Sequence, residues 1–132
     1  MEMKSAYAFG KSVETPHAET AARLRDVLAG EGFGIISETD LKEKFAEKLQ
    51  KEFRNYLILG ACNPSLAYEF LSREIDLGTF LPCNVVVYDR DDGRTAVMAF
   101  DPVAVFALAG RPEITGYAEK AAEKLKRVIA SI

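Results

Sequence analysis

Two cysteines carry most of the chemistry this chain can offer. Each is followed by asparagine and lies near a proline, in Ala61-Cys62-Asn63-Pro64 and in Pro82-Cys83-Asn84. A pair of thiols at element ends can ligate a soft metal, cycle as a disulfide or supply a nucleophile. Cysteine is also small and apolar, and often does no more than fill core space. Cys62 falls where an apolar strand gives way to a helix, in outline a nucleophile elbow, where the helix field favours the thiolate. Cys83 opens the next strand and lacks that field. Its interest lies in pairing with Cys62 across adjacent strands, and a disulfide would need Cα atoms within about 7 Å.

Three polar residues accompany the thiols. Asn63 is placed to cap a helix that begins at Pro64. Asn84 is placed to orient a ligand or to bond a loop amide. Asp101 precedes Pro102 at a strand end, where it can face the same pocket or close an Asx-turn. His17, the lone histidine, sits in the first turn of a helix with nothing to tie it to Cys62. A Cys/His nucleophilic pair is therefore not expected. A closed zinc site takes four cysteine or histidine ligands, and one chain has three. A site built from two thiols of each subunit of a dimer stays open. There is no GxGxxG, P-loop or paired-carboxylate signature, and Asp89, Asp91 and Asp92 lack the spacing of a calcium loop.

The elements that must position these residues follow from periodicity. Residues 3–13 place Tyr7, Phe9 and Val13 on one parity, which predicts a half-buried strand. Thr15 is expected to cap a helix with Pro16 at its first position and Ala21, Leu24 and Leu28 as its buried stripe. Residues 33–39 predict a strand, and Asp40 opens a helix with Leu41, Phe45 and Leu49 inward. Residues 56–61, apolar throughout, predict a central strand covered on both faces or packed against a dimer partner. A helix carrying Leu66, Ala67, Phe70, Leu71 and Ile75 follows. Residues 83–89 and 95–100 form a hairpin through Arg90-Asp91-Asp92-Gly93. The last helix, 114–132, aligns Ile114, Ala118, Ala121, Leu125, Val128 and Ile129. The order is β-α-β-α-β-α-β-β-α, which predicts an α+β two-layer sandwich with a mostly antiparallel sheet and helices packed on one face.

Composition sets the outer bounds. The 132 residues fit one domain spanning 1–132, with 48% apolar and 28% charged residues. Net charge is −3, from 20 acidic and 17 basic residues interleaved along the chain. No basic cluster marks a nucleic-acid footprint, and no apolar run approaches the ~20 residues of a membrane span. The Met1-Glu2-Met3-Lys4 start has no signal-peptide pattern, so a cytoplasmic location with reduced thiols is expected. The apolar segment 103–109 is flanked by Asp101-Pro102 and Gly110-Arg111-Pro112. It would expose a patch that wants a partner, and a homodimer through it or through the hairpin is expected.

The string Phe53-Arg54-Asn55-Tyr56-Leu57-Ile58-Leu59-Gly60-Ala61-Cys62-Asn63-Pro64, with Gly78-Thr79-Phe80-Leu81-Pro82-Cys83-Asn84-Val85-Val86-Val87-Tyr88 and Ala99-Phe100-Asp101-Pro102, resembles the domain of unknown function 302 family. The resemblance spans essentially the whole chain. It implies an α+β domain that commonly forms homodimers and carries no established activity. The charged run Lys44–Glu52, and Thr79-Phe80 in place of leucines, depart from the family pattern without touching the cysteine motifs.

Three readings follow. The first is a small dimeric binding domain whose pocket gathers Cys62, Asn63, Cys83, Asn84 and Asp101. Its ligand is a small molecule or a soft metal, zinc or copper(I), held by Cys62 and Cys83. The second is a thiol redox or transfer enzyme, with Cys62 attacking and Cys83 resolving. The third is a structural or interaction protein with inert cysteines.

Overall fold

Alternating apolar residues in two strands, β5 (Cys83–Asp89) and β6 (Thr95–Phe100), build the centre of a six-stranded sheet. Their hairpin closes as expected. The Arg90 N–H donates to the Arg94 carbonyl at 2.8 Å, and Gly93 takes φ 82°, where a side chain would be strained. The computed structural model describes residues 2–132. Around the hairpin lie β1 (Glu2–Lys4), β2 (Ala8–Val13), β3 (Gly34–Asp40) and β4 (Tyr56–Cys62), in the order β1-β2-β6-β5-β4-β3, every pair antiparallel.

The helices are α1 (His17–Gly30), α2 (Leu41–Leu49), α3 (Pro64–Arg73), α4 (Pro102–Phe106) and α5 (Pro112–Ala130). Short 3-10 turns at Ile75–Phe80 and Ala107–Ala109 follow α3 and α4. One parity of the strands, including Leu59, Ala61, Val85, Val87, Val97 and Ala99, packs against Leu24 and Leu28 of α1 and Leu125 and Val128 of α5. A second cluster joins Leu66 and Phe70 of α3, Phe106 of α4, and Ile114 and Ala118 of α5. The α+β class, the antiparallel sheet and the helices on one side are as the sequence predicts. Among the described residues no helix is long and apolar enough to cross a membrane.

Two local expectations are corrected. Residues 3–13 are two strands of a hairpin, turned where the Ser5 N–H donates to the Ala8 carbonyl at 2.9 Å. Tyr7 sits in that turn, 67% exposed, so its shared parity with Phe9 was coincidental. At α1, Pro16 occupies the cap and Thr15 supplies a carbonyl instead of a hydroxyl. The Thr20 and Thr95 hydroxyls donate to that carbonyl at 3.1 and 2.7 Å. The cap at Asn63 is as expected: its Oδ1 accepts from the Leu66 N–H at 3.2 Å, with Pro64 opening α3. Asp101 likewise caps α4, accepting from the Val103 and Ala104 N–H groups at 3.0 and 3.4 Å.

Candidate functional site

The register of β4 against β5 decides where the cysteines go. Ala61, not Cys62, lies opposite Cys83, and successive residues of a strand point to opposite faces. Cys62 and Cys83 are thus offset in both register and parity, and both are free thiols. Among the described residues no group of three or more histidines, cysteines and acids converges to hold a metal. The expected cysteine pair within one chain is therefore corrected. The thiols are offset by one residue in register, and no disulfide joins them. Burial, and secondarily Cys62, pushes the Cys83 thiol up to about 12, so it stays protonated at neutral pH.

The five residues expected in one pocket are dispersed. Cys62, Asn63 and Cys83 line a crevice beside Phe33, Leu66 and Phe70, with about 10 Å³ of space. That is room for a single water at most. Asn84 projects to the other face of the sheet, because its parity is opposite to that of Cys83. Asp101 stands at the start of α4 and borders a different cavity.

The face that receives Asn84 is the one the main helices leave uncovered. On it a cavity of about 480 Å³ is lined by Tyr7, Tyr56, Asn84, Val86, Tyr88 and Met98, with Phe100 and Val105 at its edge. Tyr56 and Tyr88 are cross-strand partners and stack with ring centroids 5.3 Å apart and planes 9° from parallel. Phe53 and Phe45 continue the row, at 6.1 and 5.0 Å between successive centroids. Burial first, then the neighbouring Tyr88 and Tyr7 phenols, raises the Tyr56 hydroxyl above its ordinary value. It remains a neutral donor and acceptor.

Glycines shape the floor. A side chain at Gly10 would fall on the Val97 carbonyl and within 2.8 Å of the Met98 sulfur, so glycine lets Met98 lie flat across β2. At Gly60, opposite Asn84, a side chain would meet the Ser37 hydroxyl and Pro82. The result is a mostly apolar, aromatic concavity with one carboxamide in it. Tyr7, Tyr56, Val86, Tyr88 and Met98 were not expected as site residues. The available signal was Val86 and Tyr88, apolar on the parity of β5 that a solvated face would make polar.

The chain is similar over residues 9–132 to the family described as "Domain of unknown function DUF302". It is also similar to the crystal structure of an uncharacterised conserved DUF302 protein from Bacillus stearothermophilus. The TM-score is 0.90 at 28% identity, with 96% of this chain and 98% of that chain covered. No curated protein matches it significantly.

Proposed function

This chain belongs to the DUF302 family, and from that premise we propose that it is a binding domain whose ligand lies on the uncovered face of the sheet. The observation that carries this is the cavity of about 480 Å³ around the Tyr56–Tyr88 stack. Its size and its mostly apolar lining, with Asn84 and the tyrosine hydroxyls as polar anchors and Lys4 and Ser5 also bordering it, match sites that hold small organic molecules. The ligand class is a small, largely apolar molecule with a flat ring to stack on the tyrosines and one polar group for Asn84. The reading places the protein in the cytoplasm, where both thiols stay reduced.

A neutral aromatic alcohol tests it. The chain has five tyrosines and no tryptophan, so 2-naphthol binding can be followed through tyrosine fluorescence. Val86→Arg puts a charge on the apolar floor and should weaken 2-naphthol by about tenfold or more, with an unchanged circular dichroism spectrum. Absence of saturable binding to the wild type, or equal binding to the variant, would sink the reading.

A second reading is a homodimer closed over the same face. Tyr7 at the cavity mouth is 67% exposed, and Val105 of α4 stands beside it, which supports a second copy as the cover. Val105→Asp should then convert dimers to monomers in light scattering. A monomeric wild type, or a variant that still dimerises, refutes it.

A further inference from the structure

On the opposite, helical side of the sheet, we propose a second binding site, for an amphipathic anion, in the groove between α5 and the β1–β2 hairpin. The groove is a cavity of about 560 Å³ bordered by Lys4, Lys11 and Lys126, with Phe9 and Ile129 among its apolar walls. The strand register explains why the lysines meet. Lys4 is the cross-strand partner of Phe9, and Lys11 lies two residues beyond Phe9 on the same parity, so all three point toward α5. From the helix wall, Lys126 places its Nζ 5.7 Å from the centre of the Phe9 ring.

Among the described residues, none of these three ammonium groups forms an ion pair with a carboxylate. Among the described residues the lysine in an ion pair is Lys48, far away in α2. Two carboxylates also border the groove, one fewer than its lysines. Asp101 spends an oxygen on the N–H groups of Val103 and Ala104, and Glu2 stands opposite Lys11 on the edge strand. Three cations against two acids leave the groove with an excess positive charge. Lysines scattered over a surface are ordinarily just solvated. Here they ring a concavity with an apolar floor, and their aliphatic stems extend that floor. The chemistry that fits is a phosphate or carboxylate head carried on a hydrocarbon or aromatic body. The head is held by ammonium groups and the body lies against Phe9 and Ile129.

Isothermal titration of the full chain with octyl phosphate at low salt tests this, with inorganic phosphate and 1-octanol as arms lacking tail and head. The expected result is saturable binding of octyl phosphate, at least about tenfold tighter than either control. The double substitution Lys11→Gln and Lys126→Gln should weaken it by about tenfold or more, whereas Lys11→Arg with Lys126→Arg should retain it. Both glutamine substitutions lie outside the cavity of the uncovered face, so 2-naphthol binding should be unchanged. No heat with octyl phosphate overturns the proposal. So does equal binding by the glutamine variant, or inorganic phosphate binding as tightly as the tailed ligand.

Discussion

Phe106→Ala should destabilise the fold by about 3–5 kcal/mol, the range for removing a fully buried phenylalanine. Phe106 is 1% exposed, and its ring stacks on that of Phe70 with centroids 4.2 Å apart and planes 10° from parallel. Phe80 and Phe100 meet it edge-on at 5.7 and 5.9 Å. One ring therefore ties α4 to α3, to the 3-10 turn after it, and to the end of β6. α4 has only five residues, too few to hold itself by backbone bonds alone. Truncation opens a void that four separate elements would have to collapse into, which puts the cost at the upper part of the range. Leu108→Ala, two residues on and 78% exposed, should change stability by less than about 0.5 kcal/mol. Guanidinium unfolding of both variants decides the matter. A Phe106→Ala cost below about 1 kcal/mol would mean that α4 is not anchored through this ring.

That same segment shows what sequence can and cannot reveal. Residues 103–109 are apolar and short, and the expectation of an exposed patch holds for Val103 and Leu108, 41% and 78% exposed. It fails for Phe106, because a helix begun by the Asp101 cap turns that one residue inward. Local chemistry was legible wherever a single segment decides its own conformation. The Asn63-Pro64 start of α3, the Asp40 cap of α2, the Gly93 turn and the apolar stripe of α5 are such cases.

Features set by register or by assembly were not legible. The strand at residues 3–13 had the right parity for Phe9 and Val13 and the wrong continuity, since nothing in alternation marks a reversal at Ser5–Tyr7. The two cysteines read as a pair because each lies at a strand end. Which residue faces Cys83 depends on a β4–β5 register that puts Ala61 there. The cavity on the uncovered face draws Tyr7, Tyr56, Val86 and Met98 from a turn and three strands that are consecutive in space and scattered in sequence. Asn84 was singled out for its neighbour Cys83. Its own parity separates it from that cysteine and delivers it to the tyrosines.

Cys83 leads to the second large effect, a loss of stability in alkali. Its thiol is pushed from about 9 to about 12, mainly by burial. A thiol raised in the folded state favours folding only while it is protonated. Below pH 9 both folded and unfolded chains carry the proton, and the contribution is complete. Above pH 9 the unfolded chain ionises first and gains stability relative to the fold, a trend that continues until the folded thiol itself ionises near pH 12. Linkage makes the decline about 1.4 kcal/mol per pH unit, or roughly 4 kcal/mol across the whole window. Tyrosines and lysines titrate over the same range, so the informative quantity is the difference between the wild type and Cys83→Ala. The variant should be less stable at pH 8, from the lost sulfur packing at a 5% exposed site. Between pH 8 and pH 10.5 the wild type should then lose about 2 kcal/mol more than the variant, narrowing or reversing the gap. Urea midpoints at the two pH values measure it directly. Parallel declines would show that Cys83 reaches solvent as an anion without unfolding. A buried, protonated thiol would then be the wrong description of the β5 start, and the inert reading of this cysteine would fall with it.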